Sequence, residues 1–160
     1  MERDKSDYGV TPPSVAKAMS GREFLQALID ARLPAAPITS RLPFQIVAVG
    51  DGFAAFEGRP DEGLYNPQGS VHGGFAMTIL DSALACAIQS TLEKGFACTT
   101  IETKVNMLRP MDRKTGKVRA EAHVIHVGRS VGVASGALAD GRGRILAHGT
   151  STCRVFKIRD

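Results

Sequence analysis

The chain predicts an α+β domain: an antiparallel sheet of about five to six strands laid against one long central helix. Three observations carry this. Residues 75–92 are helix-length and apolar on every side, which marks a buried helix. Four long strand-like runs follow at 97–108, 117–127, 130–139 and 143–156. Turn residues part them at 110–116, at Gly128-Arg129-Ser130 and at Asp140-Gly141-Arg142-Gly143. Two shorter runs, 44–49 and 53–57, flank Gly50-Asp51-Gly52 and read as a hairpin. Strands in succession, with a single helix among them, imply antiparallel pairing, the last four as a meander.

Taken in order, residues 1–19 read as a flexible tail running through Thr11-Pro12-Pro13, and 20–43 as an N-terminal helix with its linker. Ser20 is placed to cap that helix, with Glu23 at the capping-box spacing. Phe24, Leu25, Leu28 and Ile29 then form one apolar stripe, which Pro34 and Pro37 end. Residues 44–160 form the main domain, with its central helix over about 73–92. Its last strand alternates, placing Ile145, Ala147, Gly149, Ser151, Cys153 and Val155 on one face.

At 160 residues, 43% apolar and 22% charged, the chain is long enough for one domain with its own core. No run approaches the roughly 18 apolar residues of a membrane helix, and the polar start MERDKSDYGV predicts no secretory leader. Cys86, Cys98 and Cys153 are odd in number and widely spaced, which fits small apolar residues in a reducing cytoplasm. The net charge of +4 is unevenly spread. Residues 1–102 hold eight Lys and Arg against twelve Asp and Glu, and residues 103–160 hold twelve against four. Such a split first raises nucleic acid. Aromatics are only 6%, Trp is absent and the cations are scattered, so no nucleic-acid partner is expected.

The chemistry concentrates around the central helix. Between Ser70 and Leu92 the only charged side chain is Asp81. A lone carboxylate among apolar residues needs hydrogen bonds or a task, although Asp81 could also simply cap a helix restarting at Ser82. Gly73 and Gly74 leave helix N-terminal amides unobstructed at the positive end of the dipole, where a developing oxyanion is stabilised. A turn or close packing would equally explain two glycines. Eight residues of helix separate Gly73 from Asp81 by roughly 12 Å, too far to act on one carbonyl. Antiparallel helices across a two-fold axis could join them, so a catalytic reading predicts a dimer.

The run Asn66-x-x-Gly69-x-x-His72-Gly73-Gly74, with Asp81 eight beyond Gly73, resembles the hot-dog-fold acyl-CoA thioesterases. The similarity is to the phenylacetyl-CoA (PaaI-like) and 4-hydroxybenzoyl-CoA thioesterase group. It extends over about 44–156, through the strand 99–107 ending in Arg109-Pro110, Gly128-Arg129-Ser130 at a hairpin, and Ala147-His148-Gly149. The resemblance implies a sheet wrapped around the central helix. It implies hydrolysis of an aryl or short- to medium-chain acyl-CoA, with coenzyme A as part of the substrate, no separate cofactor and no metal. Asp81 would be nucleophile or general base, the Gly73 amide would polarise the thioester carbonyl, and Thr100 would assist the attacking water. Asn66 and His72 would orient that water or meet the sulfur. The active sites would be shared between chains of a dimer or a dimer of dimers.

Other residues weigh less. His123 and His126, three apart on a strand, are expected on opposite faces and so cannot share a metal. His148 stands alone in its strand, and no GxSxG elbow is present. Glu102, with Lys104, reads as a solvated pair. For the phosphates of coenzyme A the first candidates are Arg129 and Ser130 beside Gly128, then Arg109 and Arg113, with Gly74 near the thioester. Phe75, Met77, Ile79 and Met107 are apolar candidates for an acyl pocket or for core. A hot-dog hydratase or dehydratase, acting on the acyl C2–C3 bond, and a non-catalytic acyl-CoA-binding module are the alternatives. Release of free thiol separates both from a hydrolase.

Overall fold

A computed structural model of the chain describes residues 7–159. It contains helices α1 (Pro13–Lys17), α2 (Gly21–Ile29) and α3 (Gly73–Gln89). The strands are β1 (Phe44–Gly50), β2 (Phe53–Gly58), β3 (Phe96–Met107), β4 (Val118–Val127), β5 (Val131–Asp140) and β6 (Ile145–Lys157). They form one antiparallel sheet in the order β1-β2-β4-β5-β6-β3. Every strand touches α3, so the sheet wraps the helix. This is the hot-dog architecture, with an additional helix before it.

The hairpins β1–β2, β4–β5 and β5–β6, together with α2, form as the sequence predicts. Ser20 Oγ accepts from the Glu23 amide at 3.3 Å and the Glu23 carboxylate accepts from the Ser20 amide at 2.8 Å, closing the capping box. Gly21 then meets the C-terminal end of α3 so closely that a Cβ there would sit 1.7 Å from the Gln89 carbonyl oxygen. Ile79, Leu80, Leu84 and Ile88 of α3 are fully buried against Val118, Leu138 and Cys153 of the sheet.

Five expectations need correction. The last four strands are not a meander: β3 pairs with β6 at the far edge and leaves β4 beside β2. Ten residues carrying Pro110 connect β3 to β4, too long for a hairpin, while the turns at 128–130 and 141–144 are tight. The tail expected over 1–19 differs within residues 7–19, residues 1–6 lying outside the described part. Pro12 and Pro13 start the short helix α1, and Ala35 bridges the segment around Tyr8, Gly9 N donating to Ala35 O and Ala35 N to Asp7 O. Ile145 leaves the inward face of β6 because an irregularity at Leu146 shifts the register before Ala147. His123 and His126 are both exposed, since an extra residue, Ile125, bulges out of β4 between them. Finally, α3 is not covered on all sides by its own sheet. Met77, at 44% exposure, begins a half-open stripe through Thr78, Asp81, Ser82, Ala85, Cys86 and Gln89.

Candidate active site

Asp81 lies in mid-helix on that open stripe. The helix runs through Ser82 without restarting, and the Ser82 hydroxyl donates to the Thr78 carbonyl at 2.9 Å. Asp81 therefore caps nothing. Its Oδ1 accepts two hydrogen bonds, from Thr100 Oγ1 at 3.0 Å and from Thr103 Oγ1 at 2.7 Å. Oδ2 accepts none among the described residues and is not a sealed, unsatisfied atom. One carboxylate oxygen is held and the other is left open.

Thr103 is a residue that sequence periodicity misses. In a regular strand, residues 100 and 103 point to opposite faces. Here Thr100 pairs with Cys153 and Glu102 with Thr152, so Ile101 is an extra residue, bulged outward at 62% exposure. The bulge resets the alternation and brings both threonines to the helix side, a common use of bulges next to sites. Glu102 is thereby exposed, in line with its reading as solvated. Nothing local in Thr99-Thr100-Ile101-Glu102-Thr103 announces the extra residue. Behind Thr103 lies Ser151, 3.1 Å from its hydroxyl and itself donating to the Glu102 carbonyl at 3.0 Å. Cys153 Sγ is 3.9 Å from Thr100 Oγ1.

Three thiols lie at this corner, Cys153 buried and Cys86 and Cys98 half-buried. Burial, with the Asp81 charge adding to it, pushes Cys86 up to about 12. Cys153 and burial push the Cys98 thiol up, while Cys98, Ser151 and Thr100 pull Cys153 down against its burial. Cys98 also reaches the Ala85 carbonyl at 3.4 Å.

At the other end of α3, His72 is the N-cap, and its Nδ1 accepts from the Gly74 amide at 2.9 Å. The Gly74 amide is thus occupied, contrary to the expectation of two free donors. The Phe75 amide donates to the His72 carbonyl at 3.0 Å. Gly73 alone of these three has an amide with no acceptor among the described residues, at the positive end of a 17-residue helix. Its small size matters, because a Cβ would approach Met107 Cε to 3.3 Å. Asn66 staples the preceding loop: Oδ1 accepts from the Gln68 and Ser70 amides at 3.0 and 3.2 Å, and Nδ2 donates to Ser70 Oγ at 3.1 Å. Asn66 and His72 therefore shape the loop and cap that present Gly73.

The remaining candidates fall into two places. Arg109 lines a cleft of about 280 Å³ beside Gly73, together with Met107 and Leu108, and its guanidinium donates to the Ile145 carbonyl. Gly128, Arg129 and Ser130 form the β4–β5 turn, with Arg129 and Ser130 exposed. That turn lies just beyond Gly132, which pairs with Cys153 across from Thr100, so it is two strands from the Asp81 corner. Arg113 is tied to Glu62 at 3.4 Å. Phe75 and Ile79 are core, whereas Met77 and Met107 are exposed. Among the described residues no group of three or more His, Cys, Asp or Glu gathers to hold a metal, and no helix is long and apolar enough to cross a membrane.

The chain is similar to known proteins. A phenylacetic acid degradation-related protein of Ralstonia eutropha, provisionally named a thioesterase, superposes with a TM-score of 0.74 at 28% identity, over 82% of this chain and 98% of that one. A protein of Halobacterium salinarum provisionally named an esterase is 38% identical over 98 residues, which are 56% of this chain and 63%, under two thirds, of that relative. The 1,4-dihydroxy-2-naphthoyl-CoA hydrolase of Listeria monocytogenes is 27% identical over 115 residues, 72% of this chain and 92% of that protein. The profile of the thioesterase superfamily matches residues 68–147, from the loop that presents Gly73, through Asp81 and the two threonines, into β6. The chain belongs to the thioesterase superfamily.

Proposed function

We propose that the protein is an acyl-CoA thioesterase, hydrolysing a thioester and water to a free acid and coenzyme A. The observation that carries this is the Asp81 carboxylate, with Oδ1 held by two threonine hydroxyls and Oδ2 open. Thr100 uses its only proton on Oδ1, which leaves its oxygen as an acceptor for a hydrogen bond from a water. Oδ2 takes a proton from that water as general base. The water oxygen bonds to the thioester carbonyl carbon, and the charge that develops on the carbonyl oxygen meets a Gly73 amide. The C–S bond then breaks, and Asp81 returns the proton to the departing sulfur. The balance is one water consumed and one thiol released.

Asp81 and Gly73 of one chain stand about 12 Å apart along the helix, so each site takes its amide from Gly73 of the partner subunit. The half-open stripe of α3 that carries Asp81 is the surface such a partner would cover. Arg129, Ser130 and Arg109 are exposed and available to the phosphates of coenzyme A.

Thiol release from a panel of acyl-CoAs tests the reading. Asp81→Asn is expected to cut turnover on the best substrate a hundredfold or more, and near-normal release would refute it. A single turnover in ¹⁸O-labelled water is expected to place the label in the acid alone, since label entering Asp81 would mean direct attack by the carboxylate.

A further inference from the structure

A cavity of about 630 Å³ lies between the N-terminal segment and the open stripe of α3. Leu28 of α2 and Ile38 of the linker wall it on one side, Ile46 of β1 on the other, and Ala85 and Cys86 of α3 form its floor. We propose that it receives the apolar part of the acyl group, and that residues 25–46, outside the family-matched segment 68–147, set which acyl groups the enzyme accepts. This rests on the thioesterase reading above.

Position is the first argument. Ala85 is four residues after Asp81 and so on the same face of α3, roughly 6 Å further along. Ser82, next to Asp81, also lines the cavity. An acyl group whose carbonyl sits at Asp81 has this space within reach along that face. Lining is the second. Ile38 is 47% exposed and Ile46 is only half-buried, so these walls hold apolar surface that the core does not use. Charge is the third. Glu57 and Lys117, at the outer end, are paired with each other at 3.0 Å, and Cys86 keeps its proton. Arg59, an exposed residue, also lines the cavity. Size is the fourth. The volume lies within the range of about 300–1,000 Å³ of small-molecule sites, and a two-carbon acyl group would leave most of it to water.

The test combines hydrolysis with binding. Values of kcat/KM are measured on butanoyl-, octanoyl-, dodecanoyl- and 2-naphthoyl-CoA, and binding of dodecanoate and 2-naphthoate is measured by calorimetry. Burial of each methylene is worth roughly fourfold, so the four extra methylenes of octanoyl-CoA are expected to raise its value over that of butanoyl-CoA by about 250-fold; a preference for 2-naphthoyl-CoA would assign the same cavity to a ring. Ile38→Trp changes an exposed side chain and leaves the core alone, while Ala85→Phe fills the floor from another element. Both are expected to lower the large-over-small ratio at least tenfold and to weaken binding of the matching acid. A flat profile, or a ratio unmoved in both variants, overturns the proposal and leaves hydrolysis standing. Acid binding that both variants abolish, without thiol release from any substrate, upholds the pocket and overturns the thioesterase reading.

Discussion

Thr103 shows how much one hydroxyl can decide at the residue scale. Its 2.7 Å hydrogen bond is the shorter of the two that hold Asp81 Oδ1, and without it the carboxylate keeps a single anchor. A hydrogen bond to a charged group contributes about 1.5–3 kcal/mol, so Thr103→Val is expected to lower kcat/KM roughly tenfold to a hundredfold. Thr103→Ser keeps the hydroxyl and is expected to restore most of it. Steady-state kinetics on the best acyl-CoA check both. A Val variant as active as the parent would show that Thr100 alone orients the carboxylate. At this scale Thr100 entered only through the family resemblance, whereas Asp81 and Gly73 were legible in the sequence as candidates, because a charge in an apolar helix and glycines at its start are local signals. Thr103 was not, because its orientation depends on the bulge at Ile101.

At the scale of elements, the turn between β5 and β6 is held by Asp140. Its side chain is only 3% exposed; Oδ1 accepts from the Arg142 and Arg144 amides at 2.9 and 3.0 Å, and Oδ2 accepts from the Arg144 guanidinium at 2.8 Å. Burial alone would raise the carboxyl pKa, but the Arg144 and Arg142 hydrogen bonds and the Arg144 charge outweigh it and hold the group below its ordinary value. A carboxyl depressed in the folded state stabilises in full above its unfolded pKa, near 4, and the gain is lost as pH falls through the folded value. Asp140→Asn keeps one acceptor and loses the charge. It is expected to melt a few degrees below the parent at neutral pH, the gap closing as pH drops below about 4. Thermal melts across that window check this, and a gap independent of pH would contradict it. The turn itself was readable from Asp140-Gly141-Arg142-Gly143. The strand order was not, because nothing along the chain shows that β3 crosses to β6 rather than pairing with β4.

For the whole molecule, the decisive distance is between Gly73 and Asp81 on one rigid helix. If each site joins Asp81 of one chain to Gly73 of the other, two inactive variants should complement. Gly73→Pro removes the amide proton at the first helical position, where proline is favoured. His72 before it already has the extended ψ of 135° that a following proline requires. Asp81→Ala removes the carboxylate. Each homodimer is expected to be inactive, whereas a purified heterodimer holds one intact site of two and should recover about half of the parental turnover. No recovery would place the whole site within one chain. The open stripe of α3 fits the shared arrangement, since the helix is apolar enough to be fully buried yet its own sheet covers only part of it.

The sequence by itself determined the class of fold, the central helix and the hairpins, and marked Gly73 and Asp81 on that helix as candidates, because these rest on periodicity, turn residues and local charge within a few positions. Only the tertiary structure decided which strand lies at the sheet edge, that a bulge at Ile101 turns Thr103 toward Asp81, that His72 occupies the Gly74 amide, and that α2 and the linker wall a cavity over the open stripe of α3. Each depends on contacts between segments far apart in the chain, and one displaced residue in a strand reverses every side chain beyond it.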